Sequence, residues 1–340
     1  MKTKILIIYT GGTIGMVRDV ESGALKPFDF SKISENIPEL KLLHCQLGYE
    51  SFESPLDSSN VNPETWIKLV SIIEKNYTQF DGFVILHGSD TMSYTASALS
   101  FMIENLSKPI ILTGSQLPIG DLRTDAKENL ITAIQLATLS ENDEPLIQEV
   151  CLYFEYKLYR GNRTTKMSAE HFHAFDSPNF PALAESGVHL KVEKQFLIKN
   201  NYKPVFFHKH LCQDIFLMKL FPGMPLHVYN HVLSNDLKAI IIETYGSGNA
   251  PTHQAFINFL KLAKTKNMPI INVTQCSAGG VDMGKYETSE HLKSLGVISG
   301  KDLTTEAALT KTMYLLGINN SDINWFEENF VENKVGEMTI

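Results

Sequence analysis

The chain of 340 residues carries only four cysteines and two tryptophans. Cys45, Cys151, Cys212 and Cys276 are scattered, and without a C-x-x-C pair neither a disulfide framework nor a cysteine zinc site is indicated. No apolar run reaches the roughly eighteen residues a membrane span needs. The start lacks a charged segment leading into a long apolar stretch, so a cytoplasmic protein is expected. Positive charge is in deficit, 30 Lys+Arg against 38 Asp+Glu for a net charge of -8, which disfavours non-specific binding to nucleic acid or acidic membranes. There is no G-x-x-x-x-G-K-[ST] phosphate loop and no G-x-S-x-G elbow, and the glycines near residue 11 do not follow the dinucleotide spacing G-x-G-x-x-G. His171-x-His173 and His208-x-His210 lack both H-E-x-x-H spacing and an accompanying acid cluster, so no metal is indicated. Fixed-period repeats and low-complexity tracts are also missing.

What remains is a globular composition, 43% hydrophobic and 20% charged, at a length that suits two domains. Short apolar runs at Lys4–Tyr9, Phe83–His87, Pro109–Thr113, Val150–Tyr156, Ala239–Glu243 and Pro269–Thr274 read as strands, several covered on both faces as in a parallel sheet. Between them lie helical patterns. Asn62-Pro63-Glu64 opens one of them, Asp90-Thr91 and Asp125 two more, and Asn249-Ala250-Pro251-Thr252 another. The βαβ alternation predicts a larger N-terminal α/β domain with a doubly wound, mostly parallel sheet and a smaller C-terminal α/β domain. A polar, poorly alternating stretch that reads as a hairpin or linker sets the boundaries: residues 1–190, a linker over 191–212, and 213–340.

The strand ends are chemically rich. The first strand runs into Tyr9-Thr10-Gly11-Gly12-Thr13-Ile14-Gly15-Met16, which puts a hydroxyl in a glycine loop at the edge where open α/β sheets do their chemistry. Asp57-Ser58-Ser59, Ser89-Asp90-Thr91 and Arg160-Gly161-Asn162-Arg163-Thr164-Thr165-Lys166 follow at later ends. Each has a plainer explanation: a helix cap for Ser89-Asp90-Thr91, a turn for Asp57-Ser58-Ser59, solvation for Lys166, and structural charges for Arg160 and Arg163.

Taken in order, these segments resemble the bacterial type I (cytoplasmic) L-asparaginases of the asparaginase/glutaminase family. The likeness rests on Thr10-Gly11-Gly12-Thr13-Ile14-Gly15, Asp57-Ser58-Ser59, His87-Gly88-Ser89-Asp90-Thr91-Met92, the Arg160–Lys166 segment and Tyr245-Gly246-Ser247-Gly248-Asn249-Ala250-Pro251. It implies hydrolysis of L-asparagine without a cofactor, with Thr13 as nucleophile and Ser89, Asp90 and Lys166 as a second catalytic group. Gly12, Asp57, Ser58, Ser59, Ser89 and Asp90 would line the substrate pocket, and Asn249 would reach the site of a neighbouring subunit. A homo-oligomer is therefore expected, a homotetramer built from two dimers or a single dimer.

Three departures from the family pattern stand out. Ser89 replaces a threonine, keeping the hydroxyl but losing the methyl that stiffens χ1. The stretch after the nucleophile, Ser22-Gly23-Ala24-Leu25-Lys26, lacks the tyrosine that many relatives carry there. Glu243 stands where some type I enzymes have an arginine of an activating asparagine site; Thr165 and Cys276 still match, and the carboxylate argues against retained activation. Two other readings are a glutamyl-tRNA amidotransferase subunit and a non-catalytic amino-acid sensor. The first carries an extra N-terminal domain, whereas here the catalytic strand begins at residue 4. The second would keep the pocket without turnover.

Overall fold

The computed structural model describes residues 2–18, 25–27, 37–199, 203–233, 236–284, 287–319 and 322–339. Two compact units emerge, Met1–Lys209 and His210–Ile340.

The first unit is built on β1 (Lys4–Gly11), with a small hairpin of β2 (Met16–Arg18) and β3 (Leu25–Pro27) following it. Then come β4 (Gln46–Leu56), α1 (Pro63–Asn76), β5 (Gly82–Leu86), α2 (Met92–Met102), β6 (Ile110–Thr113), α3 (Ala126–Ala137) and β7 (Val150–Phe154). The unit closes with β8 (Lys157–Arg160), the short pair β9 (Thr165–Lys166) and β10 (Phe175–Asp176), β11 (Ala184–Ser186) and β12 (Leu190–Val192). The main sheet has eight strands in the order β12-β11-β8-β7-β6-β5-β1-β4. From β4 to β7 every pairing is parallel, and from β7 to β12 every pairing is antiparallel.

Burial explains the parallel part. Ile5–Ile8, Phe83–Leu86 and Ile110–Leu112 are almost entirely inaccessible, as strands covered on both faces must be. Helix α1 begins where the sequence predicts: Asn62 accepts from the Thr65 N–H at 3.0 Å, Pro63 takes the first helical position, and Trp66, Leu69, Val70 and Ile73 turn inward. The chain leaves β1 for the edge strand β4, then crosses back to place β5 on the other side of β1. That reversal makes the carboxyl ends of β1 and β5 a topological switch point, the usual position of a crevice in an open α/β sheet.

The second unit carries a four-stranded parallel sheet, β13 (Ile215–Lys219), β14 (Ala239–Thr244), β15 (Ile270–Thr274) and β16 (Ile298–Ser299) in that order, with helices α4 (Gln254–Thr265), α5 (Thr305–Ile318) and α6 (Ile323–Val331). Its tail is pinned by a fully buried ion pair: Lys311 of α5 meets Glu337 at 2.5 Å, and the backbone N–H groups of Lys334 and Val335 donate to the same carboxylate.

Within the stretch 191–212, Lys191 and Val192 lie in edge strand β12, which forms a hairpin with β11, and Phe206–Phe207 pairs with Ile103–Glu104. One expectation needs amendment: Asn249 does not open α4. It closes a tight turn with Tyr245, and His253 caps the helix four residues on by accepting from the Phe256 N–H at 3.2 Å.

Candidate functional site

Thr13 lies just past β1, at the head of a short 3₁₀ turn that ends at Gly15. The preceding Gly12 has φ +85°, and a Cβ placed on it would stand 2.5 Å from the Gly88 nitrogen. Only glycine permits this approach, which seats the loop carrying Thr13 directly against the loop that continues into Ser89 and Asp90. Both backbone groups of Gly12 are engaged within the protein. Its N–H donates to the Leu56 carbonyl at 3.1 Å, and its own carbonyl accepts from the Gly15 N–H. Gly12 is thus built into the turn by its backbone as well as by its close approach to Gly88.

From β5 the chain makes a second short 3₁₀ turn, Ser89–Thr91, before α2. It is not a side-chain cap. Thr91, the N-cap residue, instead donates its hydroxyl to the Ser58 carbonyl at 2.7 Å, and the Asp90 N–H donates to the buried Ser58 Oγ at 3.3 Å. Since Ser58 Oγ accepts there, its own hydrogen can be donated elsewhere. Asp57 behaves partly as the plain turn reading expects: it accepts from the Ser59 N–H and hydroxyl, both at 2.9 Å, and these bonds lower its carboxyl pKa.

Lys166 comes from the β9–β10 pair, 77 residues from Ser89, and its Nζ donates to Ser89 Oγ at 2.9 Å and to Asp90 Oδ1 at 2.7 Å. The lysine side chain is 18% exposed and the aspartate 61%. Glycine contact and hydrogen bonds thus gather Gly12, Ser58, Ser89, Asp90 and Lys166 around the loop that leads to Thr13. Asp57 and Ser59 adjoin Ser58 in sequence, and Thr165 pairs with Asp176 across β9 and β10.

Arg160 and Arg163 are structural, as the sequence suggests. Arg160 is buried against Glu149 at 2.6 Å, and both guanidinium groups lie over the Phe180 ring.

The remaining sequence candidates belong to the second unit. Asn249 sits in the Tyr245 turn. Glu243 accepts from the Thr305 hydroxyl at 2.7 Å, and its other oxygen is 3.4 Å from Lys219 Nζ. The Cys276 N–H donates to Thr274 Oγ1, and the residue is exposed. Of the stretch after the nucleophile, Ser22, Gly23 and Ala24 lie outside the described residues. No cluster that could hold a metal ion occurs among the described residues, and no helix there is long and apolar enough to cross a membrane.

One support escaped sequence reading. The Trp66 indole N–H donates to Thr95 Oγ1 at 3.0 Å, and Thr95 Oγ1 is 2.9 Å from His87 Nε2. The Gly88 carbonyl can only accept, so His87 Nδ1–H donates to it at 2.7 Å, and Nε2 of the neutral ring accepts from the Thr95 hydroxyl. This buried chain fixes the peptide just before Ser89. Burial lowers the His87 pKa from 6.5 to about 4, so the folded protein holds it neutral while the unfolded chain protonates it first as pH falls. The stability this contributes is complete above pH 6.5 and is lost as pH drops towards 4. In urea melts, the stability advantage of the wild type over His87→Gln should shrink below pH 6.5, by at most about 1.4 kcal/mol per pH unit. A pH-independent difference would contradict this.

With that geometry in place, comparison with known proteins is decisive. The model of the "Asparaginase, N-terminal" family matches residues 4–197, and that of the "Glutaminase/Asparaginase C-terminal domain" matches residues 214–330. The chain belongs to the asparaginase family. It is 40% identical over 339 residues to L-asparaginase 1 of Escherichia coli K12, covering 99% of this chain and 98% of that protein. Among solved structures it is similar to L-asparaginase I of Vibrio cholerae, with TM-score 0.89, 37% identity and full coverage of both chains. It is also similar to the thermostable L-asparaginase of Thermococcus kodakarensis, with TM-score 0.90, 30% identity and 99% coverage of each chain.

Proposed function

We propose that the chain is an L-asparaginase that hydrolyses L-asparagine to L-aspartate and ammonia through an ester on Thr13. The observation that carries this reading is Lys166 Nζ bridging Ser89 and Asp90 on a loop packed against the glycine that precedes Thr13.

A carboxamide is a poor electrophile, so two acyl-transfer steps through a covalent ester are easier than one direct hydrolysis. Thr13 Oγ1 attacks the amide carbon and gives its proton to Ser89 Oγ, while Ser89 passes its own to Lys166, which enters this step as the free amine and leaves it as the ammonium. Lys166 then returns a proton to the leaving nitrogen as the C–N bond breaks and ammonia departs. Water adds to the ester, the bond to Thr13 breaks, and aspartate leaves with the hydroxyl restored. Thr13 and Ser89 each begin a 3₁₀ turn, so their N–H groups have no acceptor within those turns and suit an oxyanion hole. Asp90 presents an exposed carboxylate to the substrate α-ammonium, and the Ser58 hydroxyl donates to the α-carboxylate. No cofactor enters these steps.

Asn249 completes the site of a neighbouring subunit, in a homotetramer arranged as a dimer of dimers. Glu243 stands where the family resemblance places an arginine of an activating asparagine site. The Glu243 carboxylate, held by Thr305 and Lys219, would repel an amino-acid carboxylate, so asparagine does not activate this enzyme.

The test is acid-quenched turnover of asparagine, followed by peptide mapping alongside ammonia release. An aspartyl ester on the Thr13 peptide, formed before steady state, is the expected result. Ammonia release without an ester would overturn the mechanism, and asparagine binding without ammonia would identify a sensor.

A further inference from the structure

We propose that Tyr9 is a positioning residue for the nucleophile: its ring fills the space left by the absent side chain of Gly15 and so fixes the turn that carries Thr13. This rests on Thr13 being the nucleophile.

Tyr9 lies in β1, four residues before Thr13, and is 1% exposed. Gly11 and Gly12, at φ +136° and +85°, then redirect the chain into the Thr13–Gly15 turn. The turn is closed by Gly15 N–H to the Gly12 carbonyl at 3.3 Å and by Met16 N–H to the Thr13 carbonyl. Gly15 packs against the hydroxyl end of the tyrosine ring: a Cβ there would lie 2.2 Å from Cζ, 2.3 Å from the hydroxyl oxygen and 2.4 Å from Cε2. Real Cβ atoms do not approach other heavy atoms so closely, so any side chain at 15 must displace the ring or the turn. Gly15 has an ordinary φ, and what excludes other residues is the neighbouring ring rather than the backbone.

The arrangement has a mechanical logic. Two successive positive-φ glycines give the segment before Thr13 wide conformational freedom, which disperses the position of a nucleophile. A fully buried aromatic ring beneath the turn removes that freedom, and the buried Ile14 anchors it further. The same turn is the root of the β2–β3 hairpin, where Met16 pairs with Pro27 and Arg18 with Leu25. Burial pushes the Tyr9 phenol up to about 12, so it stays neutral over the working pH range.

The experiment is a double-mutant cycle on Gly15→Ala and Tyr9→Leu, with Tyr9→Phe as the conservative control, reading kcat, KM and Tm. Displacing a reacting atom by about 1 Å costs on the order of 100-fold, so each of the first two variants should lose at least about tenfold in kcat. KM should move by less than about threefold, because the pocket groups stay in place. Tyr9→Phe keeps the ring and most of the turnover. The double variant, with its new methyl in the space the ring vacates, should recover kcat above the product of the two single losses. Wild-type kcat in Gly15→Ala, or losses that simply multiply in the double variant, would overturn the proposal. Gly15→Ala decides the matter alone if Tyr9→Leu does not fold. Undiminished turnover in Thr13→Ala would instead refute the nucleophile assignment, which the cycle does not test.

Discussion

Thr13→Ala should fold normally and lose at least about 10⁴-fold in kcat for asparagine, with no aspartyl ester formed. The expectation follows from where the residue sits. Thr13 is half-buried at a loop head rather than in the core, so removing its hydroxyl and methyl opens no large cavity, and Tm should hardly move. Its hydroxyl nevertheless supplies the bond that splits the reaction in two, and no neighbour replaces it: Ser89 Oγ is held by Lys166, and Ser58 Oγ by the Asp90 N–H. Thr13→Ser separates the two parts of the side chain. It keeps the nucleophile but loses the β-methyl that limits χ1, so a fall of about tenfold is expected, with the ester still trapped. Ammonia release at saturating asparagine, paired with thermal melts, reads both variants. If Thr13→Ala kept even a tenth of the wild-type rate, direct attack by water would be the better mechanism.

How legible the molecule is from its sequence depends on how far apart the interacting residues lie. The parallel strands announce themselves because burial on both faces demands unbroken apolar runs, as in Ile5–Ile8 and Phe83–Leu86. The antiparallel extension does not: Lys157–Arg160, Ala184–Ser186 and Leu190–Val192 are short and mixed in polarity, and their pairing is set by contacts that no local pattern encodes. The misplaced start of α4 has a similar origin. Asn249 is a favourable cap by residue type, but the Tyr245 turn claims it and His253 takes the cap instead.

The site divides in the same way. Its glycine loops and hydroxyls can be picked out by strand-end position, whereas the union of Lys166 with Ser89 and Asp90 spans 77 and 76 residues and entered through family resemblance alone. The Trp66–Thr95–His87 chain was invisible because each member reads as ordinary core until the partners are seen together. Tyr9 and Gly15 lie in the same glycine-rich segment, yet nothing in their six-residue spacing shows that one occupies the space of the other's missing side chain.

Lys166 provides the sharpest separation of charge from proton transfer. Lys166→Met should lower kcat by about 10²–10⁴-fold, the usual contribution of a positioned acid–base group. Stability should change little, because the Asp90 carboxylate is 61% exposed and such pairs are worth roughly 0–1 kcal/mol. KM should also rise, since Asp90 loses the partner that orients it towards the substrate ammonium. The informative comparison is Lys166→Arg. Arginine keeps a cation beside Ser89 and Asp90 but cannot give up its proton in a protein. If Lys166 acted only by charge, arginine would restore most of kcat. If it receives the Thr13 proton through Ser89, arginine restores KM but leaves kcat near the methionine level, and this is the expected outcome. A recovered kcat in Lys166→Arg, with Tm equal to the wild type, would move the proton acceptor to water or another side chain while leaving the threonine ester in place.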